Sequence, residues 1–334
     1  MYSHGMTTRA PNLFDYATSE LSQDAALCWC IAWADSRNAT VDPAMHAIGR
    51  DLIGSMFSAA GVEAPAGDYA VKIKPQLEHV DIVAELGQSH VLVIEDKVHS
   101  AEHSDQLNTY ARAISAIYPG CTHAFIFVKT GDQSSYSVVK ASLWTTFLRQ
   151  DLLAVLRRGS ECTNAIFVDF LALIESREAA VQRFKTAPVA EWVSCDPAYI
   201  GLYMQLQALL GDGDWRYVAN PSGGFLGFWW HNDGIKGGEI YLQLEEDALM
   251  VKIWSESAER RGELRGLWSR RVVESIPGFA KPKRFGNGEY MTVATAGDYR
   301  RKAPDGRLDL EATVQTLRAA SEALSHLVAA PPAL

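Results

Sequence analysis

Two acidic residues and a lysine occupy unusual positions in the first half of the chain. Asp81 lies near the start of the apolar run VDIVAEL, and Glu95 and Lys97 end the run HVLVIEDK. A charged group inside an apolar strand is costly unless it has a partner. Two converging carboxylates repel each other, and a hard cation with oxygen ligands, such as Mg²⁺, relieves that repulsion. The pattern therefore predicts a divalent-metal site at Asp81 and Glu95.

A metal ion held in this way would perform hydrolytic chemistry on phosphodiesters. It lowers the pKa of a bound water and stabilises charge that develops on a phosphoryl oxygen. Lys97 lies two residues after Glu95 and so on the same strand face, where it could position the water or offset charge on the scissile phosphate. We therefore expect a phosphodiester hydrolase.

This hypothesis requires one hairpin register. Facing residues of an antiparallel hairpin have position numbers with a constant sum and point to one face. A three-residue loop over 87–89 pairs Leu86 with His90, and therefore Asp81 with Glu95. A loop of two or four residues pairs Asp81 with Asp96 instead and turns Glu95 to the opposite face. An odd loop or a bulge is therefore predicted.

The elements that must position these residues follow from hydrophobic periodicity and from turn signals. Helices are expected first, followed by an antiparallel hairpin, a helix from about His103 to Ile117, and the short strand AFIFVK. Further segments are predicted as a strand at Tyr136 to Val139 and as helices at 142–158 and 164–184. After a connector at 187–197, the remaining chain is expected to form a helix, four strands, a helix, a strand and a closing helix.

Asp81, the run Glu95-Asp96-Lys97 and the segment from Gln106 to Tyr110 resemble the PD-(D/E)XK nuclease superfamily. The order D…ExK…QxxxY is complete, and Glu20 matches the acidic residue of the family's first helix, so the resemblance covers about residues 12–130. Val80 stands where the family's signature proline is expected. The resemblance implies Asp81, Glu95 and Glu20 as ligands of Mg²⁺, with Mn²⁺ able to substitute, Lys97 assisting the nucleophile, Gln106 binding phosphate or orienting Lys97, and Tyr110 contacting nucleic acid.

The resemblance also implies a fold. We expect an α/β chain in which residues 1–190 form a restriction-endonuclease-like mixed sheet flanked by helices. Residues 191–334 are expected to form a smaller α+β accessory domain that selects the substrate or a partner.

The second half contains two further sets of candidate contacts to nucleic acid. The stretch 255–307 is basic in an otherwise acidic chain and could follow a phosphate backbone, although a solvated, salt-bridged helix face is a comparable explanation. Aromatic residues could stack on bases, although core packing is the default. The basic set is Arg260, Arg261, Arg265, Arg270, Arg271, Lys281, Lys283 and Arg284; the aromatic set is Trp215, Tyr217, Phe225, Phe228, Trp229, Trp230 and Trp254.

Composition limits the alternatives. The net charge of −9 argues against a generally basic surface, so any nucleic-acid contact must be local. The five cysteines lack C-x-x-C spacing, which argues against a disulfide framework or a zinc site. We find no signal peptide and no membrane-spanning run, so a cytoplasmic protein is expected, with a weak preference for a homodimer.

Two functions remain open. The first is a Mg²⁺-dependent nuclease, with DNA favoured over RNA, acting in defence against foreign DNA, restriction or repair. The alternative is a catalytically inactive nucleic-acid-binding or interaction module on a nuclease fold. The complete set of acids and lysine counts against the alternative.

Overall fold

A computed structural model describes residues 11–100, 105–220 and 223–330. The chain divides into two compact units, 1–179 and 180–334. This division falls within a helix, upstream of the connector at which the sequence predicted a boundary between residues 190 and 191.

The first unit begins with two helices, α1 (Glu20–Ala32) and α2 (Pro43–Ala59). The Asp42 side chain caps α2 by accepting a hydrogen bond from the Met45 amide, and Pro43 occupies the first turn, where its missing N–H costs nothing. Both helices agree with the predicted ones.

The sheet of this unit has five strands in the order β1-β2-β3-β4-β5. The first three pair antiparallel, whereas β4 is parallel to β3 and β5 is parallel to β4. The predicted mixed sheet is therefore confirmed. The strands are β1 (Val71–Leu77), β2 (Val80–Leu86), β3 (His90–Lys97), β4 (Thr122–Lys129) and β5 (Thr145–Leu148).

The α-helices that follow are α3 (Gln106–Ile117), α4 (Ser137–Lys140), α5 (Arg149–Leu156) and α6 (Ala165–Thr186), and α6 is the helix that contains the division between the units. The predicted start of α3 near His103 lies outside the described residues. Two predictions are wrong. Tyr136–Val139 is not a strand, because Ser137–Lys140 form one helical turn. The predicted helix at 142–158 begins instead with strand β5, which pairs with the distant Ile126–Lys129, a nonlocal contact that local periodicity does not report.

Helices pack on both faces of this sheet. On one face, called here the α1 face, strand residues such as Ile82 and Ile94 pack in a core with Leu27 of α1 and Leu52 of α2. On the opposite face, called here the α3 face, Val83 and Val93 belong to a core that includes Leu107 and Ile114 of α3. Residues that alternate along β3 therefore project into different environments.

The second unit contains a purely antiparallel sheet in the order β10-β9-β8-β7-β6. Residues from its three helices share one hydrophobic core with one face of that sheet. Its elements match the predicted sequence of helices and strands to within a few residues, except that β7 and β10 extend further. They are α7 (Pro197–Leu210), β6 (Asp214–Val218), β7 (Phe225–Ile235), β8 (Gly238–Glu245), β9 (Ala248–Trp254), α8 (Arg261–Ser275), β10 (Tyr290–Asp298) and α9 (Leu310–Ala329).

The chain is therefore an α/β protein with a mixed five-stranded sheet followed by an antiparallel one, each packed with helices. Of the helices that the structure describes, none has the length and apolar character needed to cross a membrane.

Candidate active site

The hairpin register brings Asp81 and Glu95 to one face. Strand β2 pairs with β3 from Leu86↔His90 to Ile82↔Ile94 around a three-residue loop, as predicted. The next pair in this register is Asp81 with Glu95, on the α3 face with Val83 and Val93. The predicted odd loop is confirmed.

Lys97 joins the two acids. Its Nζ lies 2.7 Å from Glu95 Oε1 and 3.4 Å from Asp81 Oδ2. The three side chains are only 14%, 2% and 16% exposed for Lys97, Glu95 and Asp81, so solvent screens these contacts weakly. Burial by itself lowers the pKa of Lys97, but the hydrogen bond and charge of Glu95 and the charge of Asp81 outweigh it and raise that pKa. Lys97 is therefore a firmly held ammonium.

Glu95 is the most buried member of the set. Burial, followed by the nearby charge of Asp81, raises its pKa to about 7, although the hydrogen bond from Lys97 acts in the opposite direction. Its Oε1 accepts hydrogen bonds, whereas its buried Oε2 has no hydrogen-bond partner among the described residues. A buried acceptor without a donor indicates either an absent ligand or a proton.

Backbone and side-chain donors hold Asp81. Its Oδ2 accepts from the Asp96 amide at 2.9 Å, and its Oδ1 accepts from Gln76 Nε2 at 3.2 Å. Gln76 was not predicted as a site residue. It has a positive φ of 56° near the end of β1, a local backbone feature that the sequence pattern does not reveal.

Gln106 and Tyr110 act on Glu95 from the first two turns of α3. Gln106 Nε2 donates to Glu95 Oε1 at 3.1 Å and to the Tyr110 hydroxyl at 2.8 Å. The structure therefore brings Asp81, Glu95, Lys97, Gln106 and Tyr110 together, with Gln106 oriented toward Glu95 and Tyr110 anchoring Gln106.

Glu20 lies elsewhere. It starts α1, and its Oε1 accepts from the amides of Val98 and His99 at 2.8 and 3.2 Å, just beyond the end of β3. Partial burial raises its pKa, but these amides and Ser100 outweigh that effect and lower it. Glu20 thus fixes the chain segment that follows Lys97 and does not join Asp81 and Glu95.

A second acidic pair lies on the α1 face and was missed by the sequence reasoning. Asp96 alternates with Glu95, and its carboxyl is within hydrogen-bonding reach of Asp24 of α1. Gln23 Nε2 donates to Asp96 Oδ1 at 2.6 Å, while Gln23 Oε1 accepts from Thr130 and Arg177. The signal in the sequence was Asp24, which precedes Leu27 and Ile31 on the buried stripe of α1.

Burial raises the pKa of both members of this second pair, that of Asp24 to about 6 and that of Asp96 well above its usual range. Asp24 Oδ1 and Asp96 Oδ2 are buried and receive no hydrogen bond from a described residue. Two carboxylate oxygens in contact cannot bond without a hydrogen, so one shared proton accounts for both observations.

The predicted basic residues are distributed over α8 and the segment after it. Arg271 donates to the carbonyls of Leu327 and Ala330, and Arg261 donates to the Ser255 carbonyl, so both have structural roles. Arg260 lies against the turn at Gly237, and Arg265 contacts the Phe285 ring. Arg270, Lys281, Lys283 and Arg284 are exposed.

Two carboxylates on the α3 face are oxygen ligands of the kind that Mg²⁺ prefers. Within residues 11–100, 105–220 and 223–330, no three His, Cys, Asp or Glu side chains form a metal-binding group. Mg²⁺, however, commonly takes only one or two protein carboxylates and completes its shell with waters and substrate phosphates. The paired Asp81 and Glu95, with the unpartnered Glu95 Oε2, fit such a site.

No protein-family model, curated protein or solved structure matches this chain.

Proposed function

We propose that this protein is a divalent-metal-dependent nuclease that hydrolyses phosphodiester bonds of DNA at Asp81, Glu95 and Lys97. One observation carries the proposal: the hairpin register places two carboxylates on one face with the Lys97 ammonium between them. The resemblance of these residues to the PD-(D/E)XK superfamily supports the same reading.

Asp81 and Glu95 would hold Mg²⁺ or Mn²⁺. The bound ion would supply Lewis-acid stabilisation of the charge that builds up on the scissile phosphate. Lys97 adds a fixed positive charge beside the same carboxylates and can place it against a phosphate oxygen or the attacking water. Gln106 holds Glu95 by donating to Oε1, so Oε2 stays available to a ligand.

Preorganisation is the main contribution of the surrounding residues. The Asp96 amide and Gln76 fix the Asp81 carboxylate, and Tyr110 fixes Gln106. Groups that are already oriented cost no reorganisation when charge develops in the transition state. The restriction-endonuclease-like character of the fold and a substrate-selecting role for the second unit belong to the same proposal.

The test is a cleavage assay with purified protein on linear, circular and single-stranded DNA and on RNA, with Mg²⁺, with Mn²⁺ and with EDTA. We expect cleavage of DNA that EDTA abolishes and that Lys97→Ala reduces by about 10²- to 10⁴-fold. Lys72→Ala is the matched control, because Lys72 is 68% exposed and contacts Glu85 on the surface.

Metal-independent cleavage, or full activity of Lys97→Ala, would contradict the mechanism. Cleavage of RNA alone would correct the substrate. Failure to cleave any substrate, with folded protein and metal present, would favour the inactive binding module.

A further inference from the structure

The sheet of the second unit has a face that the helices α7, α8 and α9 do not share, and it carries a large cavity. The core face contains Trp215, Phe228 and Trp230, which are all buried with helix residues. Because side chains alternate along a strand, Trp229 and Trp254 project from the opposite face. Both are half-buried and line a cavity of about 710 Å³.

Cross-strand registers place the lining in rows. Trp229 stands opposite Gln243, Lys252 stands opposite Tyr241, and Trp254 stands opposite both Glu239 and Tyr290. Gln243 and Glu239 are four residues apart on β8. With about 3.3 Å per residue along a strand and about 4.8 Å between strands, Trp229 and Trp254 lie about 16 Å apart. This distance is too large for the two rings to clamp one planar group. They therefore form two separate aromatic platforms.

The polar groups between these platforms supply both donors and acceptors. Gln243 is 5% exposed, and its Nε2 donates to Glu245 Oε1 at 2.8 Å. Lys252 Nζ donates to the same oxygen at 2.9 Å. Glu245 thus holds Gln243 and Lys252, which both line the cavity, in fixed orientations, so the lining differs from a plain basic patch.

Arg216 and Lys252 bring positive charge to the lining of the cavity. The Arg216 guanidinium lies 5.3 Å from the centre of the Trp229 ring. Acidic residues, including Asp214 and Glu239, also line the cavity. Carboxylates disfavour phosphates between the platforms but can accept hydrogen bonds from base amino groups, while Arg216 suits a phosphate beside Trp229.

We propose that this face binds unpaired nucleobases of a single-stranded nucleic acid, with separate bases stacked on Trp229 and Trp254. Stacking on aromatic side chains tolerates any base, and Gln, Lys and carboxylate groups read base edges. In a duplex the faces of the bases are already stacked and unavailable, so the occupant must be single-stranded or locally opened. The inference deepens the proposed nuclease function and rests on it for the choice of nucleic acid.

The experiment measures binding of the full chain in EDTA, so that metal-dependent cleavage cannot interfere. Probes are short fluorescein-labelled single-stranded DNA, single-stranded RNA of the same sequence, and the DNA duplex. We expect single strands to bind more tightly than the duplex and to quench tryptophan fluorescence. Trp229→Ala and Trp254→Ala should each weaken binding by about 5- to 150-fold, and the DNA and RNA arms identify the natural strand.

Two controls keep the result interpretable. Trp229→Phe and Trp254→Phe keep a stacking surface and should retain most of the affinity, whereas Tyr16→Ala removes an 80% exposed aromatic residue of the first unit and should change nothing. Thermal unfolding of each variant verifies folding.

Binding of the two alanine variants within about twofold of wild type, preference for duplex, or no single-strand binding would each overturn the inference. Failure of the cleavage assay with binding intact removes only the nuclease proposal. If the wild-type protein cleaves DNA but Trp229→Ala and Trp254→Ala bind single strands as the wild type does, only the base-stacking inference is removed.

Discussion

Strand β3 presents an acid to each side of its sheet, and the two acids meet different partners. On the α3 face, Glu95 meets Asp81 and the ammonium of Lys97. On the α1 face, Asp96 meets Asp24 and the Gln23 amide, and the Arg177 guanidinium acts on Asp96 without forming an ion pair, since it donates to Gln23 Oε1 instead. Both pairs converge and both have an unpartnered oxygen, yet among the described residues only the first pair has a cation in direct contact.

The difference teaches how to separate a reactive acidic pair from a structural one. On the α3 face, Lys97 opposes the effect of burial on the pKa of Glu95, and a metal ion can displace the proton that Glu95 holds below about pH 7. The α1 pair is enclosed beneath α1 and is relieved by a proton, which needs no ligand from outside. Converging acids are therefore the better candidate for a functional site when a cation contacts them directly and an incoming ligand can replace the proton.

The largest effect should come from removing charge on the α3 face. Glu95→Gln is expected to lower kcat/KM for DNA cleavage by about 10²- to 10⁴-fold, because it removes a metal ligand. Asp24→Asn, the matched amide substitution on the α1 face, should leave kcat/KM within about threefold of wild type. Equal losses in initial-rate assays would show that the two pairs work as one catalytic unit.

The next largest effect should be on the free energy of unfolding. Here a substitution on the α1 face should cost more than one on the α3 face. Gln23→Leu leaves Asp96 Oδ1, Thr130 and Arg177 without a shared partner and should lower the free energy of unfolding by about 2 to 4 kcal/mol. Gln76→Leu removes an exposed donor to Asp81 and should cost less than about 1 kcal/mol. Urea unfolding monitored by fluorescence measures both, and a reversed order would contradict the comparison.

The pH dependence of metal binding tests the ionisation of the α3 pair. The pKa of Glu95 is raised to about 7, so Mg²⁺ must displace a proton below that pH. The affinity for Mg²⁺ should therefore weaken by up to about tenfold per pH unit below 7 and level off above it. Calorimetry in buffers of different ionisation enthalpy counts the released proton. An affinity independent of pH across 7 would argue that Glu95 is already ionised.

The smallest effect should come from the α1 pair. Because the pKa of Asp24 is raised to about 6, the folded state binds more protons than the unfolded state between about pH 4 and 6, and stability falls as pH rises through this window. Asp24→Asn supplies a donor and removes the charge, so it should stabilise by about 1 kcal/mol above pH 6 and by little near pH 4. Thermal unfolding against pH measures this, with the exposed Asp68→Asn as control. A gain that persists unchanged at acid pH would refute the shared proton.

Strong local patterns made most elements predictable. The hairpin of β2 and β3 followed from apolar runs around a polar turn, whereas its register was only required by the nuclease hypothesis, and the structure has the three-residue loop that brings Asp81 opposite Glu95. Strand β5 was missed, because four residues carry little periodic signal and their strand conformation depends on pairing with the distant β4. The position of Glu20 in α1 was predicted, but the backbone amides that donate hydrogen bonds to its carboxylate were not.

The sequence by itself determined which residues can carry chemistry on β2 and β3, because strand alternation and hairpin register are local rules. Only the tertiary structure decided which neighbours each charge meets. Helix α1 brings Gln23 and Asp24 to Asp96, and α3 brings Gln106 to Glu95. In the second unit, strand alternation places Trp229 and Trp230 on opposite faces of the sheet. Only the packing of the helices on one face shows that Trp230 is the one in the core. Packing of distant segments sets both the burial of each acid and the charges beside it, and these together set its pKa.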